Sequence, residues 1–443
     1  MRKLFPALIL LLASHGAHAL DFEGAAHPVV SETPAASTGL QAVFVAPSTQ
    51  GLTMVYTARS ASSAVRWYRF STLGGAYAEE LTPTRSGARV TLAAQSGDMG
   101  YIIEEGTDRY CYWLVDYSEH HLVLDALDIS PEQDCARAVL ELRGEASEIP
   151  YYTINGRRML LSRGLELSYT AESFDDDAFA YVTSLKTETI DGVDRLLAVD
   201  GAYCSTGFEL AGDRFLRAWG DELSVTSPVY NPIGVDATTR ATQATREVDN
   251  EQREDAADGL GGSAPCDIIF EAAVTEGAVF REWQISRSPE FSVLENSFNE
   301  LAFDYTFTEQ GTTYVRFTAN NDAGTCEYIG ETYQVFIGES KLEIPNAFSP
   351  EASPGVNDEW RVSYKSIVSY ECHIFNRWGT QMFSSTNPAE GWDGKYRGKY
   401  VPAGVYFYVI KARGADGVEY EKAGDINIIK YRQGSGAASA PAD

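Results

Sequence analysis

Short runs of Tyr, Phe, Val, Ile and Thr, each cut off by Gly, Asn, Asp or Pro, recur along this chain, and windows with apolar residues at i, i+3, i+4 and i+7 are scarce. A chain patterned this way cannot build helical bundles or α/β layers. It must fold as strands and turns. Aromatics make up 12% of the 443 residues, with 25 Tyr and 20 Phe, which suits pleated surfaces half covered by a second sheet. The length allows about three to four units at roughly 100 to 150 residues each. The fold class expected is all-β, in tandem β-sandwiches.

Side-chain alternation supports the strand reading. In Thr53 to Ala58, Met54, Tyr56 and Ala58 share one face, and Thr53, Val55 and Thr57 the other. Val65 to Ser71 carries an aromatic on both faces, so one side should be covered and the other skirted. Gly100 to Ile103 and Tyr110 to Val115 read as a hairpin joined around Gly106. Phe280 to Ser286 sets Trp283 with Arg281 and Ile285, toward a core. Pro131 to Leu142 reads as one short helix or a loop entering a strand.

The pattern divides the chain. Residues 20–144 form an N-terminal β-rich domain. A second sandwich over 145–237 has strands at Ile149 to Thr153, Leu165 to Ala171, Phe179 to Thr189, Arg195 to Asp200 and Phe215 to Trp219, with Asn155-Gly156 as the hairpin turn after the first. Over 238–263 polar residues replace the aromatics, and a linker is expected. Residues 264–340 hold Cys266, Trp283 and Cys326 and resemble Ig-like and PKD-like modules, which are spacers or binding surfaces. A further unit spans 341–433, and 434–443 is a Gly, Ala and Ser-rich tail expected to be disordered.

Arg2 and Lys3, the apolar run Leu4 to Leu12 and Ala17-His18-Ala19 make residues 1–19 a secretory signal peptide, with Leu20 first in the mature chain. No later run approaches the roughly 20 apolar residues of a membrane-spanning helix. Six cysteines suit an oxidising compartment. The expected pairs are Cys111 with Cys135 and Cys266 with Cys326, each bracketing one unit's strands; Cys204 and Cys372 are left over. A formal charge of −28 argues against nucleic acid as a partner.

The last hundred residues carry the most specific signal. Asn346-Ala347-Phe348-Ser349-Pro350, then Asn357-Asp358, Phe375-Asn376-Arg377-Trp378-Gly379, Trp392-Asp393-Gly394, and Gly404 with Tyr406 occur in series. This series resembles the gliding-motility-associated C-terminal domain, the type B sorting domain of Bacteroidetes proteins that leave the cell by type IX secretion. The resemblance implies a small β-sandwich that serves as an address, recognised by the type IX translocon and an outer-membrane protein of the PorP/SprF type. It implies a product secreted, or attached at the outer membrane, by way of the periplasm. The loop that could suit calcium in that family keeps only Glu351, Asn357 and Asp358 as oxygen donors, which favours an Asx-stabilised turn.

Elsewhere the chemistry is thin. Asp175-Asp176-Asp177 reads as a solvated turn. His120 and His121 are chain neighbours and point to opposite faces of any strand, so they cannot share a metal there. His373 reads as a packing residue. No Gly-x-Ser-x-Gly, His-Glu-x-x-His or phosphate-loop motif occurs, and no cofactor or catalytic residue is expected. The function expected is a non-enzymatic adhesin or surface and matrix component with a protein or glycan ligand. The alternatives are a secreted hydrolase with its site in 20–237, or an accessory factor of the export and attachment machinery.

Overall fold

The computed structural model describes residues 20–191, 195–246, 248–254, 259–350 and 357–429. The chain divides into two compact units, one of residues up to 171 with 183–231, the other of 172–182 with the chain from 232 onward. Strands dominate both, in the tandem-sandwich arrangement expected. The expected signal peptide, 1–19, and the expected disordered tail, 434–443, lie outside the described residues.

The first unit opens with a sandwich of a four-stranded and a six-stranded sheet. Met54 and Tyr56 from the first pack against Phe44, Trp67, Tyr101, Ile103 and Tyr112 from the second. The hairpin Met99–Glu105 and Asp108–Asp116 turns at Gly106, whose φ of 64° suits glycine. The six-stranded sheet is covered on its other face too. There Val43, Val45, Phe70, Ile102, Trp113 and Val115 meet Ile149 and Tyr151 of a small hairpin, and Phe215 and Trp219. This explains the aromatics on both faces of Val65–Phe70: Trp67 enters one core and Phe70 the other. The Asn155-Gly156 turn joins Ile149–Tyr152 to Arg158–Leu161, a strand the sequence reading passed over.

Phe215 to Trp219, expected as a strand, is a helix, Arg214–Trp219. Asp213 caps it, accepting from the backbone N–H of Phe215 and Leu216 at 3.1 Å, and Gly220 ends it at φ 82°. Pro131 to Leu142 resolves as a loop entering the strand Arg137–Ala146, which crosses the expected boundary at 144 because it pairs with both Leu122–Ile129 and Leu196–Asp200. Those three strands face a four-stranded sheet over Leu127, Leu140, Leu167, Tyr169, Phe208 and Leu210.

The second unit corrects the linker. Ala237–Gln243 pairs along its length with Cys266–Val274, and Leu260–Gly262 runs parallel to Val335–Ile337, so the expected linker supplies two strands of the third sandwich. Its core is Phe270, Trp283, Phe307, Val315, Phe317 and Val335. Cys266 is a buried free thiol there, as Cys111 is in the first unit, so neither expected disulfide forms. The reason is placement. Both lie on mid-sheet strands and point into packed cores. Their expected partners, Cys135 and Cys326, are not bonded to them.

Candidate functional site: the C-terminal sandwich

The last sandwich is a five-stranded sheet in the order Ala347–Phe348, Glu419–Ile428, Gly404–Gly414, Ile367–Phe375, Gln381–Ser385. Ala347–Phe348 is parallel to its neighbour and is pinned by Asn427, which donates its backbone N–H to the Asn346 carbonyl at 2.9 Å. Two short pairs, Lys341–Glu343 with Ser363–Lys365 and Lys395–Tyr396 with Lys399–Tyr400, complete it.

The structure places the expected motif residues in two kinds of position. One set packs inward. Phe348 lies 5.6 Å from Trp392, and Trp392 5.2 Å from Tyr406, ring centre to ring centre. Gly394, at φ 75°, runs beneath this cluster, where a Cβ would come within 3.1 Å of Pro350 and 3.3 Å of the Phe348 ring. The buried polar atoms of this cluster are satisfied locally: Trp392 donates its indole N–H to the Lys395 carbonyl at 3.0 Å, and Tyr406 its hydroxyl to the Pro402 carbonyl at 3.0 Å. Trp360 adds to the core, donating to the Pro345 carbonyl at 2.7 Å and exchanging backbone bonds with Trp392.

The other set forms turns. Asn376 accepts at its side-chain oxygen from the N–H of Trp378 at 3.0 Å and of Thr380 at 2.9 Å, with Gly379 at φ 81°. Asp393 accepts from the Lys395 N–H at 2.9 Å and pairs with the Lys395 ammonium at 2.8 Å. Asn357 has a left-handed φ of 56°, and its carbonyl accepts from Ser349 at 3.0 Å; Asp358 follows it, part-buried. Glu351, the remaining oxygen donor of that loop, lies outside the described residues. Gly404 opens the central strand.

Trp378 is the exposed aromatic of the series, 77% accessible, with the Arg377 guanidinium 4.9 Å from its ring. Sequence reasoning did not single out the sheet's outer face beside it, where Val405, Phe407 and Val409 are exposed and Phe375 pairs opposite Phe407. The signal was visible: Val405 to Ile410 is apolar at every position, so both faces of that strand had to be.

The other sequence candidates stay apart. Asp175 accepts from the N–H of Asp177 and Ala178, both at 3.0 Å, closing a turn. His120 meets Asp98 at 2.8 Å, while His121 meets Glu145 at 3.5 Å. His373 pairs with Glu371 at 2.9 Å. Among the described residues no three His, Cys, Asp or Glu side chains cluster as a metal site would require, and no helix is long and apolar enough to cross a membrane.

Sequence reasoning missed a buried polar cluster in the first unit. Arg163 and Asp213 form an ion pair at 2.5 Å, the Tyr117 hydroxyl donates to Asp213 at 2.8 Å, and Arg163 also donates to the carbonyls of His120 and Ser147. A lone Arg and a lone Asp fifty residues apart gave no signal for it.

Comparison with known proteins agrees with this geometry. Residues 342–428 match the family model of the CHU_C type IX secretion signal domain, and residues 128–227 that of a fibronectin type III domain. No curated protein matches the chain. Similar solved structures include a tetra-tandem repeat from the extending region of a large adhesion protein, at 12% identity over 86% of this chain and 96% of that one, with a TM-score of 0.21. The FN1–FN3 domains of chicken CNTN1 match at 9% identity over 69% and 98%, with a TM-score of 0.25. Fibronectin(III)-like modules of Clostridium thermocellum CbhA match at 12% identity over 45% and 100%, with a TM-score of 0.18. Residues 342–428 are a type IX secretion signal domain carried downstream of a fibronectin type III domain, which makes this a type IX-sorted, secreted or cell-surface protein.

Proposed function

We propose that the chain is a non-enzymatic adhesin or matrix component whose upstream sandwiches contact a protein or glycan ligand outside the cell. The observation that carries this reading is the secretion signal domain joined to sandwiches with continuous aromatic cores. Their interiors are filled by side chains, which leaves loops and outer sheet faces for recognition. The strongly acidic balance suits a soluble extracellular surface. Export runs through the type IX translocon with an outer-membrane partner of the PorP/SprF type, and the series from Asn346 to Tyr406 serves as the sorting motif.

Fractionation and protease shaving of cells producing the full chain, beside one ending at Ser340, tests the export step. Surface exposure of the full chain with periplasmic retention of the shorter one is expected; equal retention of both overturns it. Binding of the exported chain to matrix proteins and glycan arrays tests the adhesin role, and glycan or peptide turnover abolished by a single carboxylate change in 20–237 would replace it with a hydrolase.

A further inference from the structure

Between Ala237–Gln243 and Leu260–Gly262, two strands of the third sandwich, residues 248–254 make an excursion from it. The Gln243 side-chain amide closes the base of this excursion, donating to the Gly261 carbonyl at 3.1 Å and accepting from the Gly261 N–H at 2.6 Å. Its far part lies on the secretion signal domain. Tyr364 donates its N–H to the Asn250 carbonyl at 3.0 Å, and Gln252 donates to the Tyr364 carbonyl at 2.7 Å, so residues 250–252 bridge Tyr364 in parallel, on the side opposite Lys341–Glu343. It occupies an edge that would otherwise expose unpaired backbone.

Side chains fix this register. Asn250 donates its amide to the carbonyls of Val362 at 2.7 Å and Pro388 at 2.9 Å. Val248 packs against the domain's core. Lys365 pairs with Glu254 at 2.5 Å. The Glu251 carboxylate, 1% accessible, holds Arg246 at 2.8 Å, Arg253 at 3.2 Å and the Ser263 hydroxyl at 2.9 Å, and Ser263 in turn accepts from the buried Ser366 N–H at 2.9 Å. Tyr364 lies against this carboxylate, and burial together with that charge pushes its hydroxyl up to about 12.

We propose that residues 248–254 are a structural strand of the secretion signal domain, supplied from upstream of the third sandwich, and that the folded export module is therefore discontinuous in sequence. The inference rests on the export reading above. It has a consequence the 342–428 match does not contain: cutting the chain between the last two sandwiches will not release the signal domain, because a strand on the other side of the cut still holds it. This is β-strand addition carried out within one chain.

The test uses the full chain with a specific protease site inserted between Glu339 and Ser340. After complete cleavage in native buffer, the C-terminal fragment is expected to co-elute with the upstream fragment on size exclusion. Val248→Asp with Asn250→Ala should release it at least about tenfold faster, since two hydrogen bonds donated by one part-buried amide and a core contact are lost together. Elution of the parent's fragment alone, or equal retention in the variant, overturns the proposal. Amide exchange at Tyr364 keeps the result readable if the variant is loosened elsewhere: selective loss of protection there supports the strand, and unchanged protection refutes it. In cells, the uncut Asn250→Ala chain should reach the surface less than the parent. A chain ending at Ser340 that reaches the surface as the full one does sinks the export reading instead, and leaves the co-elution result standing.

Discussion

Replacing Asp213 with Ala tests how the first unit is held together. The carboxylate is fully buried, and its two oxygens do separate work: Oδ1 caps the Arg214–Trp219 helix, and Oδ2 receives the Arg163 guanidinium and the Tyr117 hydroxyl. Losing the cap costs about 1 kcal/mol. Leaving the 4%-accessible Arg163 without a counter-charge costs about 3–5 kcal/mol more. The sum of about 4–6 kcal/mol is comparable to the whole stability of a marginal domain, about 5–15 kcal/mol. Urea unfolding of the full chain, followed by near-ultraviolet circular dichroism, should show the transition of the first unit displaced downward by about 2 M or more at an m-value of about 2 kcal/mol/M. Asp213→Asn keeps an acceptor for the helix and should lose only the charge contribution. Adding Arg163→Met to Asp213→Ala should recover part of the loss, since the uncompensated cation is gone. A cost below about 1 kcal/mol for Asp213→Ala, or simple additivity in the double variant, refutes the argument.

Four further outcomes are expected. Burial lowers the His120 pKa, but the hydrogen bond and charge of Asp98 outweigh it and hold it above its ordinary value. Its stabilisation is therefore complete below the unfolded value of about 6.5 and lost as pH rises through the folded value; parent and His120→Gln chains with the same pH profile of unfolding would contradict this. Cys111, Cys266 and Cys372 should resist thiol reagents until the chain is denatured, because burial raises all three, the last two to about 11; labelling mapped by mass spectrometry in native buffer would show otherwise. Gly261→Ala should unfold the third sandwich at lower urea, since φ is 102° and a Cβ would strike the Phe336 carbonyl, and an unchanged midpoint speaks against the strand pairing there. Trp392→Ala should cost about 3–5 kcal/mol and the exposed Trp378→Ala under about 0.5, a contrast that equal urea midpoints would erase.

Strand faces were legible where one side met a core and the other did not. Met54 and Tyr56, or Trp283 and Ile285, announced their direction by alternation alone. The Arg214–Trp219 helix was not legible from its apolar residues, because six positions fit either period; the cap at Asp213 and the stop at Gly220 were the usable signals. The polar run after Asp236 concealed Ala237–Gln243 since an edge strand with one solvated face needs little apolar character. The cysteine pairing failed for a geometric reason. Bracketing a set of strands says nothing about whether two Cβ atoms approach within disulfide reach. In the C-terminal sandwich the series from Asn346 to Tyr406 located the core and turns, but no motif could show that an edge of the domain is filled by Asn250 and its neighbours, far upstream of Lys341.

The sheet covered on both faces has a mechanical meaning for the first unit. Trp219 donates to the Pro28 carbonyl at 2.9 Å and Arg214 pairs with Glu32 at 2.6 Å, so the helix between two fibronectin-type strands is fastened to the segment holding Pro28 and Glu32 as well as to the shared core. Sandwiches joined only at a linker extend one after another under tension, each giving its own step. Here the first cannot shed its outer layer without tearing the helix and the Ile149–Leu161 hairpin from the second. Pulled from its ends, this unit should lengthen in a single large event, as one link and not as two beads.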